Sequence, residues 1–199
     1  MLRWIAPAAC FAASSAFAQI APAPAPDPTQ IDAAIMKHTL GEFWGGVVIG
    51  HNGKVVYARG FGVANESLDP ITPDSLFDIG SVSKQFTAAA ILRLEMDGKL
   101  TTSDPVSRFF PNLTDQARDR AGIVTLHNLL THTSGMTDAR AIQRLDFPDR
   151  DEAVRLALAA GAAGSPGERF EYCNAGYIVL AAVVEVASGA PFEDSVRHR

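Results

Sequence analysis

A serine and a lysine lie three residues apart, at Ser81 and Lys84, directly before a long apolar segment. Residues three apart share one face of a helix, so the lysine ammonium can reach the serine hydroxyl. A serine is a poor nucleophile until a neighbouring base activates it, and a lysine becomes a base when burial and nearby charges lower its pKa. The apolar run over residues 86–94 predicts a helix that begins at Ser81, is buried nearly all round, and supplies such surroundings.

A second interpretation of this spacing involves no chemistry. Ser81 would cap the N-terminus of the helix and Lys84 would be a solvated charge in its first turn. The serine-x-x-lysine pattern occurs often by chance, so the spacing alone favours this simpler interpretation. The apolar character of the helix and a second motif, Tyr172-Cys173-Asn174, favour the catalytic one.

The two motifs together resemble the S-x-x-K and Y-x-N elements of the serine β-lactamase and penicillin-binding superfamily. The Y-x-N form resembles the class C β-lactamase branch, which also holds D-alanyl-D-alanine carboxypeptidases, D-aminopeptidases and esterases. At the middle position Cys173 replaces the usual serine, a residue of nearly the same shape. The resemblance extends from about residue 31 to the end of the chain, and the flanking segments that fit it are residues 77–81, 129–135 and 170–177.

The resemblance implies chemistry by acyl transfer on an amide or ester, such as a β-lactam, a D-alanyl peptide or a small ester. Ser81 would attack the carbonyl group and form an acyl-enzyme, and its backbone N–H would be one oxyanion donor. Lys84 and Tyr172 would take up the proton of Ser81, and either of them could be the general base. Asn174 would hydrogen-bond the side-chain amide of the substrate and help to hold Lys84. No metal and no other cofactor is needed.

The implied fold is of the α+β class and of the β-lactamase/transpeptidase type, in which an N-terminal strand pair of an antiparallel sheet is followed by a helical region. Family members carry a third motif, K-[ST]-G or H-x-G, on a later strand, and nothing of that kind follows Asn174. We therefore expect the chain to be the front part of such an enzyme, without its C-terminal strands. The alternative is a non-catalytic remnant or ligand-binding module of the same fold.

Composition restricts the partners that the chain can have. The 199 residues carry a net charge of −5 with no basic cluster, which argues against nucleic-acid binding and leaves a small-molecule or peptide substrate. Beyond the N-terminus no apolar run is long enough to cross a membrane. Cys10 and Cys173 are the two cysteines, too few for a disulfide framework. The oligomeric state cannot be predicted from these features.

The N-terminal segment has the pattern of a secretory signal. Arg3 precedes an apolar stretch, and Ala16-Phe17-Ala18 forms an A-x-A cleavage site before Gln19. This predicts a signal peptide over residues 1–18 and a periplasmic or secreted protein with no stable membrane insertion after cleavage. A linker rich in proline and alanine follows over residues 19–30, and the partial β-lactamase-related domain occupies residues 31–199.

Periodicity and turn residues predict the elements of that domain. Asn52-Gly53 between two valine-rich segments indicates a β-hairpin with strands at residues 46–51 and 54–64. The predicted helices cover residues 31–40 (from a cap at Thr29 or Asp32), 81–97, 125–131, 151–160 and 174–189, with short turns at 104–110 and a new helix after Pro191.

Three further features have simple structural interpretations. We expect His132 to bind the last carbonyl groups of the helix before it rather than to complete a serine-histidine-aspartate triad. Cys173 is interpreted as a small buried residue rather than a reactive thiol. The charged residues from Asp146 to Asp151 are interpreted as a solvated loop.

Overall fold

The computed structural model describes residue 24 and residues 27–39, 42–138 and 149–197. The predicted signal peptide and most of the linker lie outside the described residues, so both stay predictions. The chain divides into two compact units, Met1–Phe77 and Asp78–Arg199. None of the helices in the described ranges has the length and apolar character needed to cross a bilayer.

A β-hairpin forms the centre of the first unit. Strand β1 (Gly45–His51) pairs antiparallel with strand β2 (Lys54–Phe61). Asn52 and Gly53 connect them with φ angles of 50° and 73°, and two positive φ angles in succession are what a type I′ hairpin turn requires. The predicted hairpin is therefore confirmed. Strand β2 ends earlier than predicted because Gly62, at φ 79°, turns the chain away.

One helix, α1 (Pro28–His38), accompanies the hairpin. It begins before the predicted start, because the side chain of Asp27 caps it by accepting the N–H of Thr29 at 2.9 Å. Within this unit the Asp32 carboxylate contacts the Tyr57 hydroxyl and the Arg59 guanidinium. Tyr57 and Arg59 are two residues apart on β2, so they share one face of the strand.

The second unit is helical. A 3₁₀ turn, Gly80–Ser83, leads directly into α2, and the remaining helices follow in chain order: α2 (Lys84–Met96), α3 (Asp115–Ile123), α4 (Leu126–Leu130), α5 (Arg150–Ala159), α6 (Asn174–Ser188) and α7 (Phe192–Arg197). The long apolar helix α6 packs against α2, α4, α5 and α7. An antiparallel strand pair followed by helices confirms the predicted α+β class.

Large aliphatic side chains from all of these helices except α3 and α7 fill the core of the second unit. Aliphatic side chains from the connecting segments complete it, and its fully buried members include Ile91, Leu94, Leu100, Val106, Val124, Leu126, Leu129, Val154, Leu158, Val179, Leu180, Val183 and Val184. At about 1.5–3 kcal/mol for each fully buried aliphatic side chain, this cluster dominates the stability of the unit.

Three predictions about the helices are corrected. The prediction that α2 is buried nearly all round is wrong: it buries one stripe, while Phe86 and Met96 are exposed. The helix α3 was not predicted, because it buries only the small side chains of Ala117 and Ala121 and so shows no clear apolar periodicity. The prediction of a charged loop is wrong from Asp149 onward, where Asp149 caps α5 by accepting the Glu152 N–H at 2.8 Å.

A glycine holds the loop after α4 against a neighbouring segment. Gly135 has φ 68°, and a Cβ atom at this position would lie 2.2 Å from the carbonyl oxygen of Gly164. Gly98 has a similar φ of 70° but no atom within 4 Å of the corresponding position. The two glycines therefore need the same left-handed backbone, and only Gly135 also needs the space.

We expect Gly135→Ala to destabilise the fold more than Gly98→Ala. The left-handed conformation costs an alanine about 1–2 kcal/mol, and a backbone clash adds roughly 1–3 kcal/mol more. Urea unfolding of the two variants measures the difference directly. Equal losses of unfolding free energy would show that the close approach of Gly135 to Gly164 does not constrain this loop.

Candidate active site

The 3₁₀ turn before α2 presents Ser81 at the surface of the second unit. Gly80, at φ 50°, donates its N–H to the Asp78 carboxylate at 2.8 Å. Ser83 closes the turn by donating its hydroxyl to the Gly80 carbonyl oxygen at 2.7 Å. The α-helix begins at Lys84 rather than at Ser81, yet the spacing within one turn still brings the two side chains together.

Two side chains donate hydrogen bonds to the Ser81 hydroxyl. Lys84 Nζ donates to Ser81 Oγ at 3.0 Å, and the Tyr172 hydroxyl donates to the same oxygen at 2.6 Å. Lys84 Nζ also lies 5.0 Å from the centroid of the Tyr172 ring. The structure therefore brings Ser81 and Lys84 together with a tyrosine that is 91 positions from the serine.

Asn174, the first residue of α6, completes the group. Its Oδ1 accepts a hydrogen bond from Lys84 Nζ at 2.7 Å. Lys84 is likewise the first residue of α2, and α2 packs along α6. Two helix starts in contact thus bring together all four residues that the sequence indicated: Ser81, Lys84, Tyr172 and Asn174.

Asp138 is a member of this group that the sequence analysis missed. One of its carboxylate oxygens accepts the Asn174 Nδ2–H at 2.8 Å, and the other accepts the Ala175 N–H at 2.9 Å. The Cys173 thiol also contacts it, at 3.4 Å. The sequence contains one indication of its role, since Asp138 follows the segment 129–135 by three positions. Acidic residues are so frequent, however, that this position alone does not distinguish Asp138 from the others.

His132 differs from its prediction. Its backbone N–H donates to the Leu129 carbonyl oxygen of the preceding helix at 3.3 Å, but its imidazole has another partner: Nδ1 accepts the Cys173 N–H at 3.2 Å. Its carbonyl oxygen accepts the Glu171 N–H at 2.8 Å. The ring stacks on Tyr172, with centroids 4.5 Å apart, and on Tyr177 at 5.1 Å. His132 therefore holds the backbone on both sides of Tyr172 and packs against its ring.

The charges around Tyr172 favour loss of its phenolic proton. Hydrogen bonding to the Lys84 ammonium, and secondly to Ser81, lowers the pKa of Tyr172 below its usual value. The neighbouring Tyr177 has the opposite tendency: burial raises the pKa of its phenol, which donates to the Leu130 carbonyl oxygen at 3.1 Å. Of these two adjacent tyrosines, Tyr172 is thus the one suited to accept a proton from serine.

Cys173 is buried, as predicted, with 1% of its surface exposed. Burial raises the pKa of its thiol to about 11, so the thiolate is scarce at neutral pH. It is a packing residue between the candidate site residues Tyr172 and Asn174. Within the described ranges no group of three or more histidine, cysteine, aspartate or glutamate side chains could hold a metal ion.

His132 predicts a pH dependence of stability. Burial, and secondly the Lys84 charge, lowers the pKa of the folded-state imidazole below its usual value. Unfolding therefore takes up a proton between that lowered pKa and the ordinary one, so the free energy of unfolding falls as the pH drops through this window.

We expect His132→Gln, which keeps an acceptor but cannot be protonated, to flatten this acid-side decline. Urea melts of both proteins at a series of pH values give the two curves. A decline in the variant as steep as in the wild type would show that His132 is not its source.

Residues 36–199 match the model of the family described as Beta-lactamase. Penicillin-binding protein 4* of Bacillus subtilis (strain 168) is 34% identical over 170 residues, which is 80% of this chain and 36% of that protein. Esterase EstB of Burkholderia gladioli is 34% identical over 166 residues, 75% of this chain and 42% of that protein. The chain thus spans about two fifths of the length of these curated relatives.

Solved structures of the same superfamily superpose on this chain. A penicillin-binding protein homologue from Pyrococcus abyssi gives a TM-score of 0.72 at 33% identity and covers 86% of this chain and 42% of its own. FmtA from Staphylococcus aureus gives 0.71 at 26% identity and covers 88% and 50%. The predicted β-lactamase/transpeptidase-like fold is confirmed, and placement in the class C branch stays a prediction. On the family match and the identities together, this chain belongs to the Beta-lactamase family.

Proposed function

We propose that this chain carries the reacting groups of a secreted serine hydrolase that forms an acyl-enzyme at Ser81. The observation that carries the proposal is the pair of hydrogen bonds at Ser81 Oγ, 2.6 Å from the Tyr172 hydroxyl and 3.0 Å from Lys84 Nζ. A nucleophilic serine needs a base within hydrogen-bond reach, and here two candidate bases occupy that range.

The proton path follows from the electrostatics. With Tyr172 as the phenolate and Lys84 as the ammonium, Ser81 gives its proton to the phenolate oxygen as Oγ attacks the substrate carbonyl carbon. The lowered pKa of Tyr172 supports this arrangement. In the alternative, a neutral Lys84 amine takes the proton and Tyr172 stays protonated. Either path leaves one proton on the Lys84–Tyr172 pair for the leaving group.

Lys84 and Tyr172 also carry out the proton transfers of the remaining steps. The tetrahedral oxyanion collapses, the bond to the leaving amine or alcohol breaks, and that group takes the proton from the pair. A water molecule then attacks the acyl carbon and gives a proton to the same base. The bond from the acyl carbon to Ser81 Oγ breaks, Oγ takes that proton back from the base, and the acid is released. The backbone N–H of Ser81 lies in the first turn, where N–H groups lack an acceptor within the helix, so it can donate to the oxyanion.

The substrate class is an acyl compound with an amide or ester bond. Relatives include penicillin-binding proteins, an esterase and a teichoic acid D-alanine hydrolase of Staphylococcus aureus, 29% identical over 154 residues. These names support a β-lactam, a D-alanyl peptide or ester, or a small ester as the substrate of this chain. Asn174 keeps one amide hydrogen beyond the one given to Asp138, and that hydrogen can serve a substrate carbonyl. Export is supported by the signal pattern over residues 1–18.

Covalent labelling of the purified 199-residue chain tests the proposal. Separate samples are incubated with a fluorophosphonate, with benzylpenicillin and with a p-nitrophenyl ester, and the intact mass and the adduct position are determined by mass spectrometry. We expect a single adduct on Ser81, absent after the chain has been unfolded in urea. A folded chain that reacts with none of the three reagents would contradict the proposal and favour a non-catalytic ligand-binding role.

A further inference from the structure

We propose that Asp138 is a positioning residue of this site: it fixes the side-chain amide of Asn174 and, through that amide, the ammonium of Lys84. Asp138 makes no hydrogen bond to Ser81, Lys84 or Tyr172, and the site residue that its carboxylate binds is Asn174. Its charge also acts on Tyr172 at longer range, and the double-mutant cycle below separates that effect from the one through Asn174. Its effect on acylation rests on the proposed function. The contact between Asp138 and Asn174 does not, and it can be tested separately.

The two ends of the Asn174 amide face groups of opposite charge. An ammonium can only donate hydrogen bonds, and an ionised carboxylate can only accept them. Asn174 Oδ1 faces Lys84 Nζ at 2.7 Å, while Nδ2 faces an Asp138 oxygen at 2.8 Å. A rotation of the amide by 180° would place NH₂ against the ammonium and the carbonyl oxygen against the carboxylate. Both contacts would then be repulsive, so opposite charges on its two sides lock the amide.

The state of Asp138 suits this role. Burial alone would raise the pKa of its carboxyl, but hydrogen bonds from the Ala175 N–H and the Asn174 side chain outweigh that effect and lower it. The carboxylate is therefore ionised at neutral pH. It also lies at the N-terminus of α6, where no side chain of Cys173 caps the helix, and a negative charge there is stabilised by the helix dipole.

The backbone leading to Asp138 is anchored to the core. Met136 is buried and forms a β-bridge with Ala162, and the Gly135 carbonyl oxygen accepts the Ala163 N–H at 2.8 Å. Thr137 donates its hydroxyl to the Ala160 carbonyl oxygen at 3.0 Å. The carboxylate thus approaches Asn174 from a fixed support, which is what a positioning group needs.

A double-mutant cycle tests whether Asp138 acts through Asn174. The second-order rate of fluorophosphonate labelling at Ser81 is measured for the wild type, Asp138→Asn, Asn174→Ala and the combination. A hydrogen bond to a charged group supports a loss of about 10- to 100-fold for Asp138→Asn. If Asp138 acts through the amide, the same change costs less than about threefold in the Asn174→Ala background. Equal losses in both backgrounds would overturn the proposal.

The matched control is Asp149→Asn. Asp149 caps α5 through the Glu152 N–H, much as Asp138 accepts the Ala175 N–H of α6, but it makes no contact with the site residues. Thermal melts of both variants show the loss that comes from a weakened helix cap. A purely structural role for Asp138 predicts that the two variants lose labelling rate only in proportion to their unfolded fraction, and that result would overturn the proposal.

A second measurement needs no activity. In the ¹⁵N-labelled wild-type chain, the side-chain NH₂ resonances of Asn174 are identified by their absence from Asn174→Ala. We expect one of the two protons to be shifted downfield and to move as Asp138 titrates, below the ordinary aspartate range. His132 and Tyr172 are the other titratable groups that interact with Asp138, and Cys173 contacts it, so the titration is repeated in His132→Gln to remove the nearest acid-range contribution.

The two measurements separate the two proposals. If the chain does not react with the fluorophosphonate, the proposed function fails, and the amide titration alone decides the role of Asp138. If Asp138→Asn does not fold, the wild-type titration still decides it. NH₂ protons of Asn174 that keep the ordinary asparagine chemical shifts and do not respond to acid would overturn the Asp138–Asn174 contact in either case.

Discussion

Replacing Ser81 with alanine is expected to abolish covalent labelling of this chain by a fluorophosphonate or benzylpenicillin. The change removes the oxygen to which both Tyr172 and Lys84 donate, at an exposed position where no packing is lost. In a well-studied serine hydrolase, loss of the nucleophile lowers kcat by about 10⁶-fold. Intact-mass spectrometry should therefore show no adduct, while the urea melt stays close to that of the wild type.

Ser83 provides a control within the same turn. Its hydroxyl donates to the Gly80 carbonyl oxygen and takes no part in the contacts at Ser81. Ser83→Ala should keep its adduct and lose only a modest part of the labelling rate. Labelling that persists in Ser81→Ala, or that disappears in Ser83→Ala instead, would show that the nucleophile has been assigned to the wrong serine.

Lys84→Met and Tyr172→Phe are each expected to lower the acylation rate by roughly 10²–10⁴-fold, the usual contribution of a general acid or base. Both groups contact the same oxygen, and the ammonium lowers the pKa of the phenol, so each needs the other to hold the serine proton. The acylation rate of the combined variant should consequently be only slightly lower than that of the less active single variant. Burst kinetics with a p-nitrophenyl ester measure all three rates.

Tyr177→Phe is the matched control for the tyrosine. The Tyr177 ring lies 5.5 Å from Lys84 Nζ, but its hydroxyl donates to the Leu130 carbonyl oxygen and not to Ser81. This variant should react at nearly the wild-type rate. Losses that simply multiply in the Lys84→Met, Tyr172→Phe combination would mean that the two groups act independently.

The sequence allowed the four candidate residues to be predicted to lie together, because each belongs to a short motif with its own local structure, and their catalytic roles stay predictions. Ser81 and Lys84 come together within one helical turn, and Asn174 begins a helix whose apolar length is visible in the sequence. The predicted helix at residues 125–131 is present as α4, and Thr125 caps it with Asn128 in a reciprocal capping box. The hairpin turn at Asn52-Gly53 is equally local.

Contacts between distant segments could not be predicted in this way. Asp138 binds Asn174, 36 positions away, and His132 binds Cys173, 41 positions away. Neither residue lies in a local sequence pattern that would predict its partner. The buried stripe of α2 was also misjudged. Its many alanines and leucines look apolar on every side, and only the position of α6 selects Ala90, Ile91 and Leu94 for the core.

The start of two packed helices, rather than a flexible loop, supplies Lys84 and Asn174. Both helices rest on one continuous aliphatic core, so they lose their packing against each other mainly when the whole helical unit opens. The alignment of these two side chains is therefore coupled to the cooperative melting of the helical unit. Loss of labelling on heating should therefore coincide with the main unfolding transition. Where reacting groups lie on a mobile lid, labelling can be lost before the main transition.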